Sequence, residues 1–362
     1  MLTLCCDAAA LRHNARYIRA AAGGRLIAVV KHDAYGAGLA AAVRALENEV
    51  YAFAAAEPEE ALRARALSPG SRVMTLAPVC RSELSPCLSD IILSVGSVDI
   101  IPALAGIYIN MSGAAALRVD IGGSGIGLPP GDFPKALAAL ENAPNIRLAA
   151  VFAHCPSLYT ADGGETARRF APIAAAAKRF DARCVCHLAT SASWRAPGLR
   201  FDAVRVGTNL YGLPSGEAQD IAPLRPVLSL SAPVRAVFDV RAPLCAYDGC
   251  VALPGVTRAG LVGAGYGHLP ALLHAKGARV LVRGQFARVL GSACMSHLLV
   301  DLTDIPQAAP GDEAILVGGS GNAQITAREF ARCCGIPVCR CEGSLFAGSC
   351  TRRVCAQEEG PV

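Results

Sequence analysis

Lys31 stands where an apolar run, Leu26-Ile27-Ala28-Val29-Val30, gives way to His32-Asp33-Ala34-Tyr35-Gly36-Ala37-Gly38. The run predicts a buried strand, and the two glycines predict a tight loop after it. The chain has only four lysines, Lys31, Lys135, Lys178 and Lys276, beside thirty arginines. The last three lie in contexts that read as surface. A lysine in a partly desolvated site gives up its proton more easily and can form a Schiff base with an aldehyde. The plainer alternative is a snorkelling lysine at a strand end.

Three further places carry candidate chemistry. His154 ends the run Leu148–Ala153, Thr190 and Ser191 follow Arg183–Ala189, and Arg205, Gly207 and Thr208 close Phe201–Val206. A hydroxyl at a helix start, together with glycine-exposed backbone N–H groups, makes an anion site. An amine across from a phosphate cup is the arrangement pyridoxal phosphate needs. Taken singly, each residue has a structural alternative. Ser191 could be an N-cap, His154 a satisfied core histidine, and Arg205 an ion-pair partner.

The elements that must position these groups repeat regularly. Strand-like runs occur at Leu26–Val30, Tyr51–Ala55, Arg72–Ala77, Ile91–Val95, Ala115–Val119, Leu148–Ala153, Arg183–Ala189 and Phe201–Val206. Segments such as Pro58–Ala66, Pro134–Glu141 and Glu165–Phe180 read as helices between them, with a short eighth crossover at Ser191–Ala196. Eight strands alternating with helices predict an α/β fold, a (β/α)8 TIM-like barrel. A doubly wound open sheet is the rival. In such a barrel, functional groups gather at the C-terminal strand ends, where Lys31, His154, Ser191 and Arg205 all fall. An N-terminal strand and an Asp7-capped helix ending at Gly23-Gly24 precede the barrel.

Beyond Leu213 the texture changes to a mostly-β C-terminal domain. Its expected strands are Val227–Val234, Arg235–Val240, Ala259–Ala264, Arg279–Val282, Arg288–Ser292, His297–Leu302 and Ala314–Val317, with one helix at Ile325–Cys334. The expected domains are 1–222, a cofactor-binding barrel, and 223–362, a β-rich domain.

Composition excludes several classes. With 362 residues, 53% hydrophobic and 17% charged, the chain is neither disordered nor too short for two cores. A net charge of +5 with no basic stripe argues against nucleic acid. The segment Ile100–Leu117 has no charge for eighteen residues, but Pro102, Gly106, Asn110 and Gly113 divide it into a helix, a turn and a strand, so no membrane span is expected. Sixteen cysteines are below disulfide-scaffold density, and Met1–Asp7 lacks a signal-peptide core. Reduced thiols and a cytoplasmic location are therefore expected. Cys184-Val185-Cys186-His187 and Cys339-Arg340-Cys341 miss the usual zinc spacing, so no metal is expected.

The quoted residues resemble the pyridoxal-phosphate alanine racemases. Val29 to Gly38 is similar to that family's cofactor-lysine signature, departing at His32 and Ala37. The likeness continues through Val119-Asp120-Ile121-Gly122, Phe152-Ala153-His154, His187 to Ala192, Phe201 to Gly207, Leu210-Tyr211-Gly212-Leu213, Gly265-Tyr266 and Gly291 to Met295. The resemblance implies that Lys31 holds the cofactor and serves as one acid/base, with Tyr266 as the second on the opposite face. It implies phosphate contacts from Tyr35, Ser191 and the backbone of Gly207 and Thr208, and Arg205 at the pyridine nitrogen. His154 would lie near the hydrogen-bond network of Tyr266, and the Met295 backbone N–H would meet the substrate carboxylate. In the family, the counterparts of Tyr266 and Met295 come from the partner subunit, so a homodimer with shared sites is implied.

Racemisation removes a proton from one face of Cα and delivers one to the other, which two opposed groups satisfy. A guanidinium does not donate a proton to a ring nitrogen, so it restrains the electron sink and limits side reactions. A tyrosine, with an ordinary pKa near 10, needs electrostatic help to act as a base at neutral pH.

Some family positions are altered. A lysine, often carbamylated, is Arg118 here, and an arginine that reaches the cofactor's phenolic oxygen is Gly125. Entryway and second-domain aspartates are Ser296 and His268, and a phosphate-contacting tyrosine aligns with Cys339. The implied activity is interconversion of L- and D-alanine. Alternatives are a racemase of serine or another small amino acid, or a pyridoxal phosphate-binding protein with weak or no catalysis. A nicotinamide oxidoreductase is disfavoured because Gly122 to Gly127 lacks the G-x-G-x-x-G spacing.

Overall fold

A computed structural model describes residues 1–122, 124–154, 163–216, 219–241, 243–246, 249–251, 254–275, 277–337, 346 and 350–355. The chain opens on β1 (Thr3–Asp7) and a helix, Ala8–Ala22. The Asp7 carboxylate accepts the Ala10 N–H at 2.9 Å, which satisfies one of the orphan donors of that helix. Gly23, at φ +67°, ends it.

Eight parallel strands follow: β2 (Arg25–Val29), β3 (Ala52–Ala55), β4 (Arg72–Thr75), β5 (Ile92–Val95), β6 (Gly113–Val119), β7 (Ile146–Ala153), β8 (Val185–His187) and β9 (Ala203–Val206). They close into a barrel in chain order, with β9 paired to β2 through Leu26↔Val204 and Ile27↔Arg205. Both faces of such strands are covered, which is why they read as unbroken apolar runs. Helices at Pro58–Leu67, Ile100–Ile107, Phe133–Glu141 and Gly163–Phe180 provide crossovers. The expected barrel is present, with all eight strands in the expected order. Ile100–Leu117 resolves into a helix, a turn and the start of β6. Among the described residues no helix is long and apolar enough to cross a membrane.

The eighth crossover departs from expectation. Residues 191–195 form a hydrogen-bonded turn and Pro197–Leu199 a 3-10 turn, so no α-helix begins at Ser191. The Ser193 hydroxyl accepts the Thr190 N–H at 3.0 Å, and Pro197 follows too soon for a helix to extend.

The remaining strands are β10 (Leu228–Asp239), β11 (Leu244–Ala246), β12 (Gly249–Val251), β13 (Arg258–Val262), β14 (Arg279–Val282), β15 (Gln285–Leu290), β16 (Leu298–Asp301), β17 (Glu313–Ser320), β18 (Ala323–Ile325) and β19 (Thr351–Cys355). Pairing runs from β10 through β13, β16, β15, β14 and β17 and back to β10, a closed antiparallel circuit of six strands. β1 joins β10 antiparallel and β19 parallel. The two strands expected at Val227–Val234 and Arg235–Val240 are the single strand β10. Irregular register near Val234 bends it without ending it. The expected helix at Ile325–Cys334 starts later, at Ala327, because Ile325 still belongs to β18 and Thr326 caps the helix by accepting the Glu329 N–H.

Contacts divide the chain into two compact units. One comprises Leu11–Ala34 and Leu39–Leu210; the other comprises Met1–Ala10, Tyr35–Gly38 and Tyr211–Val362. The β-rich unit is thus discontinuous in sequence, because β1 pairs into its sheet. Cys5 is disulfide-bonded, unlike the uniformly reduced thiols expected, while Cys6, Cys184, Cys186 and Cys334 are buried free thiols.

Candidate active site

Lys31 leaves the C-terminal end of β2, where the ladder continues one residue further through Val30 N–H to Ala54 O at 2.9 Å. The chain then turns left-handed. His32, Asp33, Ala34 and Tyr35 have φ of 52°, 55°, 56° and 56°. None is glycine, so the turn costs about 1–2 kcal/mol per residue and persists only because its surroundings hold it. Glu60, on the helix Pro58–Leu67, accepts the Asp33 N–H at 2.9 Å through one oxygen and the Ala56 N–H at 3.0 Å through the other. Asp33 accepts the Leu39 N–H at 2.8 Å, and Ala34 N–H donates to Val30 O at 2.9 Å. The strain sits one turn earlier than the glycines suggested. Gly36 matters for another reason: a Cβ there would overlap the backbone oxygen of Phe346. Tyr35 packs its ring 5.0 Å from that of Tyr211. Of the other lysines, Lys135 and Lys178 are ion-paired to Asp132 and Asp202, and Lys276 lies outside the described residues.

Barrel register sets a row of side chains across three adjacent strands. Arg118 on β6 is the Cα partner of Phe152 on β7, and Phe152 is the partner of His187 on β8. Directly paired residues share a sheet face, so the three are lateral neighbours. The His187 ring stacks on Phe152 at 5.1 Å and 5°. Arg205, 5% exposed, reaches this row from β9. Its Nη1 lies 2.7 Å from His187 Nδ1, its Nη2 donates to Ala153 O at 3.2 Å, and its Cζ lies 5.1 Å from the Phe152 centroid. A guanidinium has no acceptor, so Nδ1 accepts and the histidine proton is on Nε2. Full burial, then the Arg205 charge, hold His187 well below the ordinary imidazole range. Its Nε2 has no hydrogen-bond partner among the described residues.

His154 follows β7 as expected. Its residue surface is exposed, yet its imidazole is pushed down to about 4, first by desolvation and then by Arg205, Arg118 and Lys31. It is therefore neutral at neutral pH, within a cationic field at the barrel mouth.

The loops after β8 and β9 are stitched together by Ser191. Its buried hydroxyl accepts the Gly207 N–H at 2.9 Å and the Asn209 N–H at 3.4 Å. Asn209 in turn accepts the Trp194 indole N–H at 2.8 Å. Thr190 Oγ1 is buried with no hydrogen bond among the described residues, and Thr208 is half-buried beside these amides. The Gly207 N–H expected to meet a phosphate directly is thus directed at Ser191 here. A single turn, not a helix dipole, supplies this end of the site.

Tyr266 and Met295 belong to the β-rich unit, on two loops bonded to each other. Tyr266 N–H donates to Cys294 O at 3.1 Å, and Gly267 N–H donates to Met295 O at 2.9 Å. A Cβ on Gly265 would overlap the carbonyls of Cys294 and Met295, so only glycine permits this approach. Met295 is 55% exposed and Tyr266 half-buried. His268 Nδ1 lies 3.3 Å from the Gly265 N–H and helps close the loop. The aligned Cys339 lies outside the described residues.

Lys31, His154, Ser191, Arg205, Gly207 and Thr208 therefore belong to the barrel unit, and Tyr35, Tyr266 and Met295 to the β-rich unit. The assignment omitted His187. Its signal was a polar residue closing the otherwise apolar strand β8, which by itself looks like an isolated core histidine.

A strand-end amine, a guanidinium fixed by a neutral histidine, and hydroxyl and amide groups on the last two barrel loops suit a planar ligand bearing a phosphate. These features define the class: a parallel-barrel protein whose mouth is lined by the cations Lys31, Arg118 and Arg205. Residues 6–215 match the family model described as alanine racemase, N-terminal domain, and residues 227–340 match alanine racemase, C-terminal domain. The chain is 34% identical over 345 residues to the alanine racemase of Syntrophobacter fumaroxidans, covering 91% of each protein. Among solved structures it resembles the alanine racemase of Streptomyces lavendulae, with a TM-score of 0.89 at 26% identity over 99% of this chain and 97% of that one. It also resembles that of Streptomyces coelicolor, with a TM-score of 0.86 at 29% identity over 98% and 97%. The chain belongs to the alanine racemase family.

Proposed function

We propose that this chain is a pyridoxal phosphate-dependent racemase that interconverts L- and D-alanine, with Lys31 and Tyr266 as the two proton carriers. The observation that carries this reading is the buried Arg205, bonded to His187 Nδ1 at 2.7 Å, whose charge and that of Lys31 both act on His154. When bound, the cofactor draws electrons from the substrate Cα and lowers the barrier to proton loss. Lys31 Nζ would be the amine that attaches it. Ser191 Oγ, the Tyr35 hydroxyl and the Thr208 backbone would hold its phosphate, with the Gly207 N–H orienting Ser191 Oγ.

Arg205 would hold the ring nitrogen. Because Nδ1 of a neutral His187 accepts from it, the guanidinium is fixed in place and keeps its proton. A guanidinium held this way would give no proton to the ring nitrogen of a bound cofactor, which would limit side reactions. Lys31 Nζ moves a proton at one face of the substrate Cα, and the Tyr266 hydroxyl, lent by a second copy of the chain in a homodimer, moves one at the other. His154, kept neutral, accepts hydrogen bonds near that phenol. The Met295 N–H receives the substrate carboxylate.

The test is direct. The purified protein with added pyridoxal phosphate should show a visible band that borohydride bleaches, and Lys31→Ala should lack it. It should then exchange the Cα proton of alanine with D2O and invert either enantiomer. Serine tested alongside measures the competing substrate. A band without exchange on any amino acid would instead mark a cofactor carrier, and absence of the band would refute the cofactor assignment.

A further inference from the structure

Arg118 is the penultimate residue of β6 and is half-buried. Nη1 donates to Leu76 O, just beyond β4, at 2.9 Å, so the side chain reaches back across β5. Its Cζ lies 6.0 Å from the Phe152 centroid, and its charge acts on His154. Among the described residues no carboxylate forms an ion pair with it. Asp120, the nearest candidate in sequence, is engaged by the Gly122, Ser124 and Gly125 N–H groups at 3.3, 2.9 and 2.7 Å and by the Ser124 hydroxyl at 3.0 Å.

The position of Arg118 is built into the loop after β6. Leu128 N–H donates to Arg118 O and Asp120 N–H to Leu128 O, both at 2.8 Å. Gly127, at φ +122°, packs where a Cβ would lie 2.6 Å from Arg118 O and 3.2 Å from its Cγ. Desolvation lowers the pKa of Arg118, the mark of a cation held out of water. The Asp120 charge two residues on opposes this only in part, without a direct ion pair, so the cost of withdrawing the guanidinium from water is one that an arriving anion can offset.

Strand order says which anion this is. In a closed ring of eight, β5 stands opposite β9, and β2 stands opposite β6. Ser191 and Gly207 follow β8 and β9, so Arg118, over β4 to β6, stands across the mouth from them. Lys31 follows β2, and the Arg205 guanidinium stands on the other side, beside Ala153 and His187. On a pyridoxal ring the aldehyde carbon is opposite the ring nitrogen, and the phosphate arm and phenolic oxygen flank the aldehyde on its two sides. With amine, Arg205 and phosphate loops matched to three of these substituents, the phenolic oxygen is left for Arg118.

We propose that Arg118 is a cofactor-binding residue whose guanidinium holds the phenolic oxygen of pyridoxal phosphate. This rests on the cofactor reading above. The test compares pyridoxal phosphate with its 3-deoxy analogue, which lacks that oxygen, by equilibrium titration of the apoprotein. Wild type should favour the hydroxylated compound, and Arg118→Gln should cut that preference about tenfold or more, as expected for a lost charge-assisted hydrogen bond. An equal preference in both proteins would overturn the assignment while leaving the cofactor reading intact. A wild type that binds neither compound would sink both. If Arg118→Gln does not fold, Arg118→Lys takes its place, since one ammonium cannot reproduce the planar guanidinium fork. An undiminished preference in that variant would likewise overturn the proposal.

Discussion

Glu60 should control the conformation of Lys31 although it touches neither substrate nor cofactor. Its two oxygens accept the Asp33 and Ala56 N–H groups at 2.9 and 3.0 Å. The turn they hold has four non-glycine residues at positive φ, a strain of roughly 4–8 kcal/mol if each residue costs about 1–2. Two hydrogen bonds to a carboxylate contribute about 1.5–3 kcal/mol each, with the lower end apt for this partly buried site. Glu60→Ala should therefore withdraw about 3 kcal/mol from a turn that is already strained. Glu60→Gln should recover only part of that, because its amide nitrogen would oppose a backbone N–H. Amide hydrogen exchange read at Asp33 and Ala34 is the appropriate assay, since a local opening need not move the global melt. Both amides should exchange on the order of a hundredfold faster in Glu60→Ala, from the same 3 kcal/mol. Unchanged exchange at Asp33 in a folded Glu60→Ala variant would refute the claim that this carboxylate holds the turn.

Other expectations follow from the same geometry. Tyr266→Phe should keep the cofactor band but slow proton removal from one alanine enantiomer far more than from the other, measured as Cα exchange in D2O. Equal effects on the two would count against opposed proton carriers. His187→Leu removes the acceptor of a buried guanidinium N–H and should cost about 1–3 kcal/mol in urea unfolding, lessened because the unpartnered Nε2 disappears with it. His187 and His154 both have folded pKa values below the unfolded value near 6.5, so the unfolded chain binds more protons and stability should fall as pH drops below about 6.5. For His154 that loss levels off near 4, and His187→Leu should make the acid slope shallower. Gly265→Ala should separate the Tyr266 and Met295 loops and raise KM for alanine, because its Cβ has no space against Cys294 O. An unchanged KM would show that the two loops need no such contact.

Much of the barrel was legible because each strand is buried on both sides and bounded by turn residues, so apolar runs mark it directly. The strand-end positions of Lys31, His154, Ser191 and Arg205 followed from that alone. Three features were not legible. The left-handed turn after Lys31 uses no glycine, so composition pointed to Gly36 and Gly38 instead. The Ser191 segment has a helix-like start, but the Ser193 hydroxyl and Pro197 stop it. The pairing of β1 with β10 and β19 joins segments more than two hundred residues apart, and antiparallel edges carry no address for their partners.

The amino-acid order alone determined which residues could do chemistry and on which strand ends they would stand, since apolar periodicity and turn residues are local properties. Tertiary structure decided how those residues act together. Register across β6, β7 and β8 made neighbours of Arg118, Phe152 and His187, and Arg205 reached that row from β9. Closure of the barrel placed cations and a neutral histidine within reach of one another, and only that proximity shifts proton affinities. A local sequence cannot encode a field that depends on charges lying more than a hundred residues apart along the chain.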